Sequence, residues 1–327
     1  MATICTKTFE LNNGKFSNYI ARQSRTPGGG DEEALESSII HALHSGYRLI
    51  DTAQTYKVEH IVGRAIRKSG IPRSEITVVT KLRASWHHDP AGALQESLAE
   101  LDIDYIDVFL MHWPMAATPE PEAKPLYPHQ SPSIIETWKL MEKLVSDKCR
   151  AIGVSNFTQK TLDEILATAT VVPVINQVEL HALNPNLKLV PYCESKGIHV
   201  MSWSTLGGPE GERGNEINQV LKNKLFVGIA EAHGVSTAVV SLSWAVQRGI
   251  TVIPKSSSKA RIEENIKLVT LTDEEMDKIN NAHLTISKLR ISDTFDRLWL
   301  EMDGKRVFQG WNKVEAGWED EEGNWLL

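Results

Sequence analysis

The chain has 327 residues, 41% apolar and 24% charged, a balance that excludes disordered and fibrous classes for most of its length. Its 35 lysines and arginines against 42 aspartates and glutamates leave a net charge of −7, so no basic field exists to attract nucleic acid or anionic lipid. No apolar run approaches the roughly 20 residues of a membrane helix, which argues against a membrane partner.

The start, Met1-Ala2-Thr3-Ile4-Cys5-Thr6-Lys7, lacks a charged-then-apolar leader pattern. Residues 16–21 are a weak strand candidate and run into Arg22-Gln23-Ser24-Arg25-Thr26-Pro27-Gly28-Gly29-Gly30, which reads as a mobile loop. A helix follows from near Asp31. Strands are expected at 47–50, 76–80, 105–111, 149–153, 171–178, 198–201 and 250–253. Several are apolar nearly throughout, as in a parallel sheet covered on both faces. Between them lie helical patterns. One opens at Ser131-Pro132 and carries Ile134, Ile135, Trp138, Met141, Leu144 and Val145 at a period near 3.6. A second follows Thr158 and buries Leu162, Ile165 and Leu166; a third spans 235–247. The end of the chain, 312–327, holds Glu315 to Glu322 and reads as an extended acidic tail.

Alternating strand and helix predicts a parallel α/β sheet, either open and doubly wound or closed as a (β/α)8 TIM barrel. No linker or composition break divides the chain, which favours a single barrel domain over 1–327. Seven strands are evident where a barrel needs eight. The first strand, expected at 16–21, is therefore degenerate or missing. Cys5, Cys149 and Cys193 have no metal-type spacing, and no metal site is expected. They read as reduced thiols that pack in a cytoplasmic protein.

The chemistry collects at strand ends. Asp51 ends the second strand, with Tyr56 five residues on; Lys81 ends the next and His112 the one after. In a parallel barrel all strand C-termini open on one face, where active sites form. Singly, Asp51 could cap a helix, Lys81 could be solvated and His112 could be a buried hydrogen-bonded ring. Together, at successive strand ends, they read as a site. A tyrosine has a pKa near 10 and an adjacent ammonium favours its phenolate. Asp51 would hold Lys81, His112 would orient a substrate oxygen, and Tyr56 would donate a proton to a developing alkoxide. That is carbonyl reduction, and it needs a hydride.

These residues lie in segments that resemble the aldo-keto reductase family, nearest its fungal aldose reductase and glycerol dehydrogenase-like members. The segments are Gly46-Tyr47-Arg48-Leu49-Ile50-Asp51-Thr52-Ala53 with Tyr56 and Glu59; Val79-Thr80-Lys81-Leu82; and Leu110-Met111-His112-Trp113-Pro114. Ile152-Gly153-Val154-Ser155-Asn156-Phe157, Asn176-Gln177-Val178-Glu179 and Ile253-Pro254-Lys255-Ser256 complete them. The resemblance implies the barrel, the tetrad Asp51, Tyr56, Lys81 and His112, and NADPH bound without a Rossmann fingerprint; no G-x-G-x-x-G follows any strand. It places Ser155, Asn156 and Gln177 on the nicotinamide carboxamide. Trp203 stands where a ring-stacking tyrosine or phenylalanine is usual; the competing reading is a core aromatic. Leu206 and Glu264 join the expected cofactor residues. Lys255, Ser256 and Arg261 are implied at the 2′-phosphate, with Asn265 near the adenine. Independently, hydroxyls and cations at a helix start after the last strand suit a phosphate.

Two departures stand out. The family's glycine-rich first strand is replaced by Ser17-Asn18-Tyr19-Ile20-Ala21-Arg22-Gln23. Arg83 stands where the family often has a pocket tryptophan. It would either bind a substrate carboxylate or phosphate, as on a uronate, or point outward while Trp86 supplies the aromatic wall. Trp113 is expected to line the pocket, and the segment with Trp299, Phe308 and Trp311 to close over substrate. His87 and His88 read as surface residues. The expected activity is NADPH-dependent reduction of small aldehydes or ketones by a cytoplasmic monomer. The alternative is a catalytically weak NADPH-binding regulatory or scaffold barrel; a lyase or isomerase barrel is a distant third.

Overall fold

The computed structural model describes residues 2–6, 8–13, 16–18, 22–23, 31–208 and 218–326. Eight parallel strands form one sheet in chain order: Arg22–Gln23, Leu49–Asp51, Thr77–Leu82, Val108–Met111, Ile152–Ser155, Ile175–Glu179, His199–Trp203 and Thr251–Val252. Each pairs with the next in parallel. Helices between them cover the outer face, as in a (β/α)8 barrel. No single helix among the described residues is long and apolar enough to cross a membrane.

Side chains alternate across a strand, and here the alternation separates two cores. Leu49, Val79, Leu110, Ile175 and Met201 form the barrel interior. Ile50, Val78, Phe109, Ile152, Val178 and Val200 face the helices in a second, larger cluster. Asp51 shares the phase of Leu49, Lys81 that of Val79, His112 that of Leu110, and Gln177 that of Ile175. The strand pleat therefore directs all four polar side chains to the inside, beyond the last apolar layer.

The first strand is degenerate, as expected, but it lies after residues 16–21. Phe16–Asn18 pairs antiparallel with Thr8–Glu10 in a hairpin. Phe9 and Leu11 of that hairpin join the interior cluster, and Phe9 stacks on His199, at the start of its strand. The partner of Leu49–Asp51 is instead Arg22–Gln23, in the segment read as a loop. A ladder of two residues rests on backbone bonds and leaves no hydrophobic period to read. Tyr19, Ile20 and Ala21 lie outside the described residues.

Caps set the helix starts. Asp31 caps Glu32–His44, accepting from the amides of Glu33 and Ala34. Thr158 caps Gln159–Leu166. The helix expected from Ser131-Pro132 begins at Ile134, where Ser133 and Glu136 form a capping box. The helix expected over 235–247 is Thr237–Gln247, capped by Ser236. The acidic end is no extended tail: Ala316 and Trp318 are buried. Glu319 pairs there with the buried Arg290 and with Lys313. The Glu319–Arg290 pair and the buried Ala316 and Trp318 tie the segment back onto the folded body.

Candidate active site

Lys81 and Asp51 are both fully buried. Lys81 Nζ donates to both Asp51 oxygens at 2.7 Å and to the Thr52 carbonyl at 2.8 Å. Gln177 Nε2 donates to Asp51 Oδ2 at 2.8 Å. Burial raises the Asp51 carboxyl above its ordinary range, while the Lys81 ammonium and the Gln177 amide oppose that rise. Tyr56 ends the 3-10 turn Gln54–Tyr56, which Lys57 closes in the left-handed region at φ 54°. The Lys81 Nζ stands 5.2 Å from the centre of the Tyr56 ring. His112 meets that ring edge-on, with centroids 5.8 Å apart, and its Nδ1 lies 3.3 Å from Thr55 Oγ1. The four predicted residues are thus brought together.

A second group adjoins them. Asn156 follows its strand at φ 64°, a turn that brings its carboxamide back over the barrel mouth. Its Nδ2 donates to the His112 carbonyl at 2.8 Å and to Ser155 Oγ at 3.1 Å. Its Oδ1 accepts from Trp203 Nε1 at 2.8 Å. Ser155 Oγ donates to the Gln177 carbonyl at 2.7 Å. Trp203 is half-buried, packs on the interior cluster and stacks on Phe295 at 6.1 Å. Leu206 is half-buried against the outer cluster.

The third group follows the last strand. Lys255 and Arg261 are exposed, Glu264 is half-buried, and Ser256 and Asn265 are buried. The Ser258 amide donates to Ser256 Oγ at 3.2 Å, and Ser258 caps the helix Lys259–Asn265.

Trp113 packs on Phe308 at 4.9 Å and meets Trp318 at 6.5 Å; Trp299 meets Phe308 at 5.4 Å. Trp311 is buried, and its backbone pairs with Phe308. A cavity of about 30 Å³ lies between this wall and the barrel mouth, lined among others by Trp113, Asn156, Glu179, Trp203, Arg290 and Trp318.

Arg83 and Trp86 do not join the tetrad. Arg83 lies along the helix Pro90–Leu101, bonded to both Glu96 oxygens at 3.2 and 3.1 Å, with its guanidinium 5.6 Å from the Trp86 ring. The carboxylate and the indole face outcompete the open cleft for that cation. His87, expected at the surface, is fully buried, and burial lowers its pKa to about 3; His88 is exposed.

Sequence reasoning gave no role to Glu59 and Glu179, although both lie in the quoted segments. Thr80 Oγ1 donates to Glu59 Oε1 at 2.6 Å. Glu179 accepts from the amides of Ile291 and Ser292 at 2.6 and 2.9 Å and from His181 at 3.2 Å, fixing the segment that leads to Phe295. A carboxylate in interior phase at a strand end was the signal for Glu179.

Residues 24–283 match the model of the aldo/keto reductase family. The chain is 39% identical over 266 residues to a glycerol 2-dehydrogenase (NADP(+)) of Saccharomyces cerevisiae, spanning 76% of this chain and 83% of that one. It is 36% identical over 286 residues to a D-galacturonate reductase of Hypocrea jecorina, spanning 84% and 89%. Among solved structures, a Bombyx mori aldo-keto reductase in complex with NADP matches with a TM-score of 0.80 and 31% identity, over 89% of this chain and 97% of that one.

Proposed function

The chain belongs to the aldo/keto reductase family, and we propose that it reduces small aldehydes or ketones to alcohols with NADPH as hydride donor. One observation carries the reading: the buried Lys81–Asp51 pair presents an ammonium to the Tyr56 ring. Tyr56 gives its proton to the carbonyl oxygen as the carbonyl carbon is reduced. The ammonium stabilises the phenolate left behind, which regains a proton from solvent. Asp51, held by Gln177, keeps Lys81 in place. His112, set by its contact with Thr55, orients the substrate oxygen.

The donor set fits a nicotinamide dinucleotide phosphate. Asn156, Ser155 and Gln177 offer amide and hydroxyl groups beside an indole face. The exposed Lys255 and Arg261 stand on either side of the buried Ser256 along the chain, a suitable set for the 2′-phosphate. NADPH supplies the hydride when bound. Asn265 would lie by the adenine, and Glu264 and Leu206 beside the cofactor. The outward Arg83 gives no support to a uronate substrate. Trp113 supports an aromatic substrate wall.

The test is consumption of NADPH by the purified chain with a reactive aldehyde. Turnover with NADPH in clear preference to NADH is expected, and Arg261→Ala should narrow that preference. Binding of NADPH with negligible turnover would favour a regulatory barrel; the assembled tetrad speaks for the enzyme. A sparse set of three cysteines without metal-type spacing suits a reducing, cytoplasmic compartment, and a monomer belongs to the same proposal.

A further inference from the structure

Resting on the reductase reading, we propose that Glu96 is a specificity-determining residue: it draws Arg83 off the barrel mouth and so biases the enzyme toward uncharged carbonyl substrates. Strand phase sets where the Arg83 side chain begins. Val79 and Lys81 face the interior, whereas Val78, Leu82 and Thr80, which bonds Glu59, face the helices. Arg83 keeps extended backbone at φ −78°, ψ 156°, so the alternation runs one residue past the strand and starts its side chain on the interior side.

The backbone there is bracketed by the tetrad. The Arg83 amide donates to Gln54 Oε1 at 3.1 Å, at the head of the turn that bears Tyr56. The Leu82 carbonyl accepts from the His112 amide at 3.2 Å. A cation that begins between Tyr56 and His112 is placed to meet a carboxylate on their substrate. Instead its guanidinium turns away to Glu96. Gln54 Nε2 ties down that helix through the Ala93 carbonyl at 2.9 Å and reaches Glu96 at 3.5 Å. The hold is incomplete, because the buried Arg83 Nε has no acceptor among the described residues. The pair is also partly exposed, and pairs of that kind bind weakly. Loss of the Glu96 charge therefore frees the arm to accept another carboxylate.

The test compares two aldehydes of nearly equal shape, 4-carboxybenzaldehyde and its neutral amide, 4-formylbenzamide, with NADPH and the full chain. The wild type should favour the amide in kcat/KM. Glu96→Gln, with Glu96→Ala as a second variant, should cut that discrimination about 10-fold, the range of one added hydrogen bond to a charged group. The gain should shrink in high salt. Adding Arg83→Gln should restore the original discrimination, which a general loosening of the helix would not do. Discrimination within twofold of wild type in both Glu96 variants, or a wild type that already prefers the acid, overturns the proposal while leaving the reductase reading intact. No turnover of either aldehyde overturns both.

Discussion

A buried ammonium and a buried carboxylate are tolerable only together, and this makes Lys81 and Tyr56 distinguishable by experiment. Lys81→Met strands the Asp51 charge, so it should cost about 3–5 kcal/mol of stability, read by urea denaturation, as well as abolishing turnover. Tyr56→Phe leaves the pair intact. It should keep near-native stability yet lose roughly 2–4 orders of magnitude in kcat, with NADPH affinity retained. His87 makes a separate prediction. Its imidazole stays neutral in the fold down to a pKa of about 3, against an unfolded value of 6.5. The unfolded chain therefore takes up the proton first as pH falls, and stability present above 6.5 is lost below it. The loss is about 1.4 kcal/mol for each pH unit down to that lower value. His87→Phe should flatten the acid limb of a denaturation profile. The tetrad was legible because Asp51, Lys81 and His112 fall at the ends of periodic strands and Tyr56 follows Asp51 by five residues. His87 was not, because it sits in an irregular turn with no phase to assign its side.

Tyr56 and Lys81 belong to different elements, so something must fix their distance from outside the barrel. The Thr80–Glu59 bond does this: Thr80 precedes Lys81 on its strand, and Glu59 opens the helix Glu59–Lys68, three residues after Tyr56. Thr80→Val removes the tie from the outer face. It should lower kcat about 10-fold while leaving the KM for NADPH close to wild type. Glu59→Gln still accepts from Thr80 and should keep most of the activity. It also has a pH signature. Burial raises the Glu59 pKa, so the wild-type fold favours the protonated form and loses stability as pH rises through that raised value. Glu59→Gln should therefore gain stability relative to wild type between acid and neutral pH. The seven later strands were readable from period to within a few residues, and the helices that were read from caps and period start close to their observed caps. The strand Arg22–Gln23 was not, since its pairing is backbone-borne and its residues lie in a polar run ending in proline and glycines.

At the scale of the whole molecule, the barrel brings the tetrad together, and the C-terminal segment completes the wall around it. Composition could show that this segment is acidic. It could not show that its charges would meet the buried Arg290, whose guanidinium bonds Glu319 and the Trp318 carbonyl and lies 4.2 Å from the Trp325 ring. Trp318 is the linchpin, touching Phe308 at 5.1 Å, Trp299 at 6.3 Å and Trp113 at 6.5 Å. Trp318→Ala should cost about 3–5 kcal/mol, the range for a large aromatic removed from a packed site. It should also open the substrate side of the mouth alone. Asn156 and Trp203 share a cavity lining with Trp318 but are held by strand ends and by their own hydrogen bond, and the segment from Lys255 to Asn265 is seated on its own helix. The aldehyde KM should therefore rise about 10-fold or more while the NADPH dissociation constant, measured by fluorescence titration, stays within a few-fold. If both constants rose together, the C-terminal segment would be holding the cofactor as well as the substrate, and the wall could not be assigned to the substrate alone.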